Sequence, residues 1–333
     1  MQIAIAALKE ANHWEDGDEI IVPALTFIAT SNTIIQNNLK PVFVDVENGS
    51  FNIDPKKIED KVTNKTRAIL PVHLLGLPAD MTPIMQIAKR HGFKVIEDSC
   101  ETMFARYKGK SVGSFGDIGC FSTYVAHYIV TGVGGLNVTN NPKLATIMRS
   151  LANHGRDSIY ITIDDDNTKS KKKLKEIVKK RFNFIRLGYS YRNTELEAGL
   201  GLSQLNRYQS IVRKRKENAK RYLTGLSSLH EHLQFQEAPK DSDNVYMLFG
   251  VVCREKGVKT KLIDYLEQHN IETRDLLPLL NQPVYKERFG NIEKNYPVAK
   301  RLRENGFYIG CHQYLSNNDI DYVINAFKRF FRK

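Results

Sequence analysis

The chain has 333 residues, 41% of them hydrophobic and 26% charged, which is enough for a large core spread over two lobes. No apolar run reaches the ~20 residues that a bilayer-spanning helix needs, and the start, MQIAIAALKEANHWEDGDE, lacks the basic leader of a signal peptide, so a cytoplasmic protein is expected. Much of the formal charge of +12 lies in Lys169–Arg181 (KSKKKLKEIVKKR), which has no aromatic or glycine pattern beside it and reads as a solvated helix or loop rather than a nucleic-acid patch.

In chain order, Ile3–Ala11 reads as a helix, Glu19–Pro23 (EIIVP) as a buried strand, Ala29–Asn37 as a helix and Pro41–Val46 as a strand. A short helix over Pro55–Lys61 precedes the strand Ala68–His73, the helix Met81–His91 and the strand Lys94–Glu97. Continuous β-branched strands alternating with helices predict a parallel sheet covered on both faces. Right-handed crossovers then gather the loops after the strands along one edge, where ligands bind. Phe115–Thr139 reads as short strands joined by polar turns, Pro142–Asn153 as a helix, and Ile163–Lys173 as a flexible polar segment. One long helix is expected over Thr194–Leu226, with a hinge within or just after it. A second unit follows, with a strand at Tyr246–Cys253 and helices at Lys259–His269 and Asn317–Phe331.

Several residues at strand ends could carry chemistry. Asp98 closes a strand, and is either a loop or capping carboxylate or an anion facing a protonated ring nitrogen. Phe27 is either core or a stacking face for a planar cofactor. His73, in VHLLG, reads as structural. Gly132–Gly135 is a tight turn matching no phosphate-loop or dinucleotide fingerprint. Ser122 and Thr123 offer hydroxyls that could bind a phosphate. Cys100, Cys120, Cys253 and Cys311 contain no C-x-x-C pair, which argues against a zinc site or an iron–sulfur cluster and for scattered reduced thiols.

The stretches GDEIIVPALTFIATSN, KPVFVDV, VHLLGLPADM, VIEDSCE, GSFGDIGCFS, TGVGG, NHGRD, LGYSYRNTELEAGLGLSQL, IETR and NNDIDYVINAF occur in that order and span nearly the whole chain. Together they resemble the DegT/StrS-type nucleotide-sugar aminotransferase family, of the aspartate-aminotransferase fold (fold type I). The resemblance implies a large α/β cofactor domain over 1–225, with a mostly parallel sheet of the seven-stranded type, and a smaller α+β domain over 226–333. It implies pyridoxal or pyridoxamine phosphate as cofactor, a nucleotide sugar as substrate, L-glutamate as amino donor, and a homodimer with its site at the interface. No metal, nucleic acid or membrane is expected to take part.

By the same resemblance Asp98 pairs with the pyridine nitrogen, Phe27 stacks on the ring and Ser122 holds the phosphate. Glu101 stands where a glutamine usually contacts the ring hydroxyl. Tyr189-Ser190-Tyr191-Arg192 matches a loop that reaches into the neighbouring subunit's site, with Tyr189 and Arg192 toward the substrate. Ser190 occupies a position usually held by a phosphate-binding asparagine, and Phe104 replaces a usual glycine.

The decisive departure is His127, at the position of the cofactor-binding lysine. This swap resembles the 3-dehydratases of deoxysugar pathways, such as the colitose-pathway enzyme. Those hold pyridoxamine phosphate without a covalent link, and its amine condenses with a C4 ketone. The histidine then takes a proton from the cofactor's C4′ carbon, and the C3 hydroxyl leaves. A single imidazole with an ordinary pKa of ~6.5 suits such a role. A second departure is the start. The family usually carries a further segment with a Ser-Gly-Thr turn that offers N–H groups to the cofactor phosphate; the start here reads as a fragment, a misassigned start or a natural truncation, and weaker phosphate binding is expected in the last case alone. Three readings stay open: C3 dehydration with His127 as base, C4 aminotransfer, and a catalytically degenerate structural or regulatory homologue.

Overall fold

The computed structural model describes residues 1–157, 170–180 and 182–332. Most of the expected polar segment at 163–173, and both ends of the basic run, lie outside the described residues. Helix α1 (Gln2–Ala11) buries Ile3, Ile5 and Leu8. Strand β1 (Glu19–Pro23) is buried along its whole length. Helix α2 (Ile28–Gln36), strands β2 (Lys40–Val44) and β3 (Thr66–Ile69), helix α3 (Met81–His91) and strand β4 (Lys94–Asp98) follow. The expected helix at 55–61 is two 3-10 turns, the first opened by Pro55 and capped by the Asp54 carboxylate. Strand β5 (Ile118–Ser122) and β6 (Gly135–Val138) lead to α4 (Pro142–Ala152). Asn141 caps α4 by accepting from the N–H groups of Lys143 and Leu144, with Pro142 at its first position.

The strand order is β2-β1-β3-β4-β5-β6. The first five strands are parallel and β6 returns antiparallel to β5. This is the doubly covered, mostly parallel sheet that the strand composition predicts, with six described strands where the seven-stranded type was expected. One face packs on α1, α2 and α4 through Ile5, Leu8, Ile34, Leu144 and Met148. The other face packs on α3 through Ile84 and Ile87.

The expected single helix over 194–226 is two helices. After α5 (Lys171–Lys180) come α6 (Glu195–Leu205) and α7 (Tyr208–Gly225). Arg207 leaves helical geometry at φ −116°, ψ 5°, and its carbonyl accepts the first hydrogen bonds of α7 from Ser210 and Ile211. Apolar spacing continues through the break, which is why the sequence pattern conceals it. The two helices nevertheless turn their apolar sides differently: α6 buries no residue, while α7 buries Ile211, Ala219 and Tyr222.

The remaining elements are β7 (Leu233–Phe235), β8 (Leu248–Cys253), α8 (Val258–Gln268), β9 (Thr273–Asp275), α9 (Pro283–Phe289), α10 (Pro297–Asn305), β10 (Gly306–Gly310) and α11 (Asn317–Phe331). The strands form an antiparallel sheet in the order β9-β10-β8-β7. Phe249, Val251 and Phe307 from this sheet pack with Tyr222, Leu262 and Phe327 of α7, α8 and α11. A capping box between Ser316 and Asp319 starts α11. No helix among the described residues is long and apolar enough to cross a membrane.

A buried carboxylate fixes the route from β4 to β5. Glu97 Oε1 accepts from the N–H groups of Phe115 and Gly116 at 2.6 and 2.7 Å. Its Oε2 accepts from Gly113 N–H at 2.7 Å and from His73 Nε2–H at 3.2 Å. His73 Nδ1 accepts from Ala79 N–H at 3.0 Å, so the ring is the neutral Nε2–H tautomer. These donors hold the Glu97 pKa below the ordinary carboxylate value against the opposing effect of burial. Because the folded pKa is depressed, the stabilisation is present above the unfolded value and is lost as pH falls through the folded one. Glu97→Gln turns an amide NH2 toward two buried N–H donors and is expected to cost about 3 kcal/mol, seen as a lower urea midpoint at pH 7 whose gap from wild type narrows in acid.

Candidate active site

The C-terminal ends of β1, β4 and β5 bring the first three candidate residues to one edge of the sheet. Asp98 is the last residue of β4 and is buried. Its Oδ2 accepts from Thr30 Oγ1 at 2.8 Å and its Oδ1 from Cys100 N–H at 3.2 Å. Thr30 Oγ1 lies 2.9 Å from Thr26 Oγ1, so a hydroxyl in the first turn of α2 ties the β1–α2 connection to the Asp98 carboxylate. Phe27 sits between these two threonines in sequence. It caps α2 in an extended conformation and leaves 59% of its surface exposed, facing a cavity of about 400 Å³ shared with Arg274, Leu277 and Tyr308. An exposed phenyl ring on a loop anchored to a buried anion suits a flat, cationic heterocycle.

Ser122 ends β5, where β5 pairs with β4 through Asp98 and Cys120. Its hydroxyl accepts from Tyr124 N–H at 3.2 Å. The turn beyond it is closed by Thr123 and Thr131, whose hydroxyls lie 2.7 Å apart, and by the Thr131 N–H on the Thr123 carbonyl. His127 lies half-buried in this turn. Its Nδ1 lies 3.3 Å from the Tyr124 carbonyl oxygen. A carbonyl only accepts, so Nδ1 carries the proton and Nε2 keeps a free lone pair. Burial lowers the His127 pKa from 6.5; the Tyr124 carbonyl and Asp98 oppose that shift and Arg215 adds to it. The imidazole is therefore mainly neutral at pH 7 and can accept a proton at Nε2.

Glu101 accepts from Leu75 N–H at 2.8 Å. Burial, with a smaller contribution from Asp98, pushes its pKa up to about 7. Roughly half of the population then carries an O–H donor at neutral pH, which is the capability of the glutamine expected there. Phe104 has φ 74°, in the left-handed region that favours glycine, and stacks on Tyr208 with ring centroids 4.5 Å apart. The glycine-to-Phe difference thus falls where a side chain is strained, and the stacking offsets part of that strain.

Tyr189, Ser190, Tyr191 and Arg192 stand apart from this group. Tyr189 stacks on Tyr191 at 4.9 Å, and its hydroxyl accepts from Gln2 Nε2 at 3.0 Å. Ser190 bridges Asn153, and Arg192 Nη2 lies 3.3 Å from His154 Nε2. Among the described residues no hydrogen bond or ion pair joins this loop to Asp98, Glu101 or His127. The sequence reading missed two supports. Thr30 holds Asp98, and the buried Arg215 places its guanidinium 4.9 Å from the Tyr128 ring centroid while donating to the Met247 carbonyl. Neither carries a sequence signal: Thr30 sits in a plain helix start and Arg215 in a run of surface-like charges. No cluster of three or more His, Cys, Asp or Glu side chains able to hold a metal occurs among the described residues.

A mostly parallel sheet with its candidate site at the strand ends, followed by a small antiparallel sheet, is the layout of the pyridoxal-phosphate-dependent transferases of fold type I. The chain belongs to the DegT/DnrJ/EryC1/StrS aminotransferase family, whose sequence model matches residues 1–328. It is 35% identical to the lipopolysaccharide biosynthesis protein RfbH of Salmonella typhimurium over 325 residues, covering 95% of this chain and 74% of that one. It is 32% identical to GDP-perosamine synthase of Escherichia coli O157:H7, covering 95% and 80%. The solved structure of E. coli GDP-4-keto-6-deoxy-D-mannose-3-dehydratase with bound hydrated PLP matches with a TM-score of 0.86 at 28% identity, covering 98% of this chain and 84% of that one.

The electrostatics of His127 can be read directly. Its NMR titration midpoint should fall below 6.5. Asp98→Asn should move it lower still, because Asp98 favours the cationic ring; an upward move would contradict the shared crevice.

Proposed function

We propose that the chain is a pyridoxamine-phosphate-dependent 3-dehydratase acting on a nucleotide-linked 4-keto-6-deoxyhexose. The observation that carries the reading is His127, with Nδ1 engaged by the Tyr124 carbonyl and Nε2 free. When bound, the cofactor supplies an amine and an electron-withdrawing ring. Asp98 offers an anion to a protonated ring nitrogen, Phe27 a flat apolar face and Ser122 a hydroxyl for the phosphate. Glu101 in its protonated form donates a hydrogen bond. His127 Nε2 takes a proton and returns it. L-Glutamate serves as the amino donor that regenerates the amine form.

Protein mixed with pyridoxamine phosphate, glutamate and candidate 4-keto-6-deoxy nucleotide sugars should yield a 3-deoxy product and ammonia. A product that keeps its C3 hydroxyl and gains an amine would overturn this reading in favour of C4 aminotransfer. The similarity to GDP-perosamine synthase supports that second reading. It needs a lysine, and 115–139 contains none. His127→Asn should abolish turnover while leaving cofactor absorbance in place. Glu101→Gln should retain cofactor binding and remove the pH dependence near 7 that the glutamic acid confers.

We further propose that the active form is a homodimer. Helix α6 buries none of its residues, and Leu196 and Leu202 are 81% and 63% exposed. Strand β6 is exposed along its length and adds Leu136 and Val138, with Phe182 and Leu187 nearby in sequence to α6. An apolar surface of this extent needs a partner, and a second copy would also bring the Tyr189–Arg192 loop toward a neighbouring site. Leu196→Glu with Leu202→Glu should convert a dimer into a monomer in analytical ultracentrifugation.

A further inference from the structure

We infer that Arg215 is the positioning residue of the His127 turn, pinning Tyr128 against α7 and setting an uncompensated positive charge behind the imidazole. Arg215 is 4% exposed. Its Nη1 donates to the Met247 carbonyl at 2.7 Å and its Nε to Gln313 Oε1 at 3.0 Å. Its guanidinium covers the Tyr128 ring at 4.9 Å from the centroid, and the Tyr128 hydroxyl donates to the Glu101 carbonyl at 3.3 Å. Tyr128 is therefore held at its face and at its tip, and His127 is the residue before it. Arg215 forms no ion pair among the described residues. Asp243, Glu217 and Asp321, which lie on or against α7, pair with Lys216, Arg213 and Arg221 instead. Two titratable groups act on Arg215, and both are neutral at pH 7: burial raises the Tyr128 pKa well above 10 and pushes Cys311 up to about 12. An arginine keeps its proton at any working pH. A buried cation with no anion beside it is costly, and two neutral acceptors offset only part of that cost.

The use of this charge follows from what faces His127. From β4, Asp98 favours the cationic ring, and so does the Tyr124 carbonyl within the turn; burial and, from α7, Arg215 disfavour it. Glu101, beyond β4, acts on Tyr128. Arg215 is thus the cation that opposes Asp98. Without it, Asp98 would draw the imidazole toward its protonated form, which cannot serve as a base. With it, the neutral ring accepts a proton at Nε2, and the imidazolium so formed is repelled by the guanidinium and gives the proton back. The clamp on Tyr128 supplies the other requirement, because a base acts at a defined atom only when its ring is held in place. Arg215 does this through Tyr128 and through space, not by touching a ligand. The inference rests on the dehydratase reading only for the use made of the proton.

The test follows the His127 ring by NMR in the full chain, its signal assigned by its loss in His127→Asn. Arg215→Gln keeps a donor for the Met247 carbonyl and removes the charge. It should raise the titration midpoint by about 0.5–1 pH unit, roughly a three- to tenfold gain in proton affinity. Gln313→Glu keeps the clamp and gives the guanidinium a carboxylate at Nε. It should move the midpoint the same way, and it decides the matter should Arg215→Gln not fold. Arg215→Lys keeps the charge but not the planar fork, so its midpoint should stay near that of wild type while turnover falls. With cofactor and substrate present, the acid limb of the kcat profile should shift to higher pH in Arg215→Gln and Gln313→Glu. A Gln313→Glu midpoint that stays put or falls would reduce Arg215 to a structural peg and overturn the inference, as would Arg215→Lys titrating like Arg215→Gln. If the midpoints rise as expected and no 3-deoxy product forms, the Arg215 assignment stands and the dehydratase reading falls. If product forms and the midpoints do not rise, the Arg215 assignment fails alone.

Discussion

The Glu97 carboxylate is the constraint on which the site depends. It lies one residue before Asp98 at the end of β4 and gathers three backbone N–H groups from 113–116 with the His73 ring. Those contacts fix where β5 begins, and β5 carries Ser122 and the His127 turn. The alternation of a strand sends Glu97 to one face and Asp98 to the other. One residue therefore anchors the scaffold while its neighbour faces the ligand edge. A buried carboxylate is tolerable there because its acceptor positions are filled.

The candidate site is built in layers from this anchor. Asp98 is held by Thr30, Thr30 lies against Thr26, and Phe27 rides on the loop between them. On the other side, Tyr128 and Ile129 pack with Ile211, Val245 and Met247, which seats the His127 turn against α7. The anion, the apolar ring and the imidazole thus stand on separate elements whose relative placement is set by packing and hydrogen bonds. Such placement by rigid neighbours is what proton transfer at a defined atom requires.

Much of this was legible in the sequence. Runs such as EIIVP declare buried strands, and the alternation with helices declares a parallel sheet, because burial on both faces leaves no polar alternation. Asp98 and Phe27 could be placed at strand ends by the same logic. The break at Arg207 was not legible, since apolar spacing runs through it and only the backbone angles depart. Nor was the raised pKa of Glu101, which depends on burial and on Asp98 nearby, both products of tertiary folding. Phe104 could be seen as a departure from a glycine, but its left-handed backbone could not. The Tyr189–Arg192 loop shows the limit most clearly: its residues were recognisable, yet within one chain it contacts α1 and the end of α4 rather than the Asp98 crevice.

Helix α6 carries its leucines outward and Gln204 inward, where the amide grips Val130 at both its N–H and its carbonyl. A short rod exposed on one side and clasping the histidine turn on the other couples its outer surface to that turn. Whatever seats or displaces the outer side is transmitted to the turn without passing through the sheet. In the homodimer proposed above, subunit concentration would become an input to the chemistry, because the helix that meets the partner is the one that holds the turn.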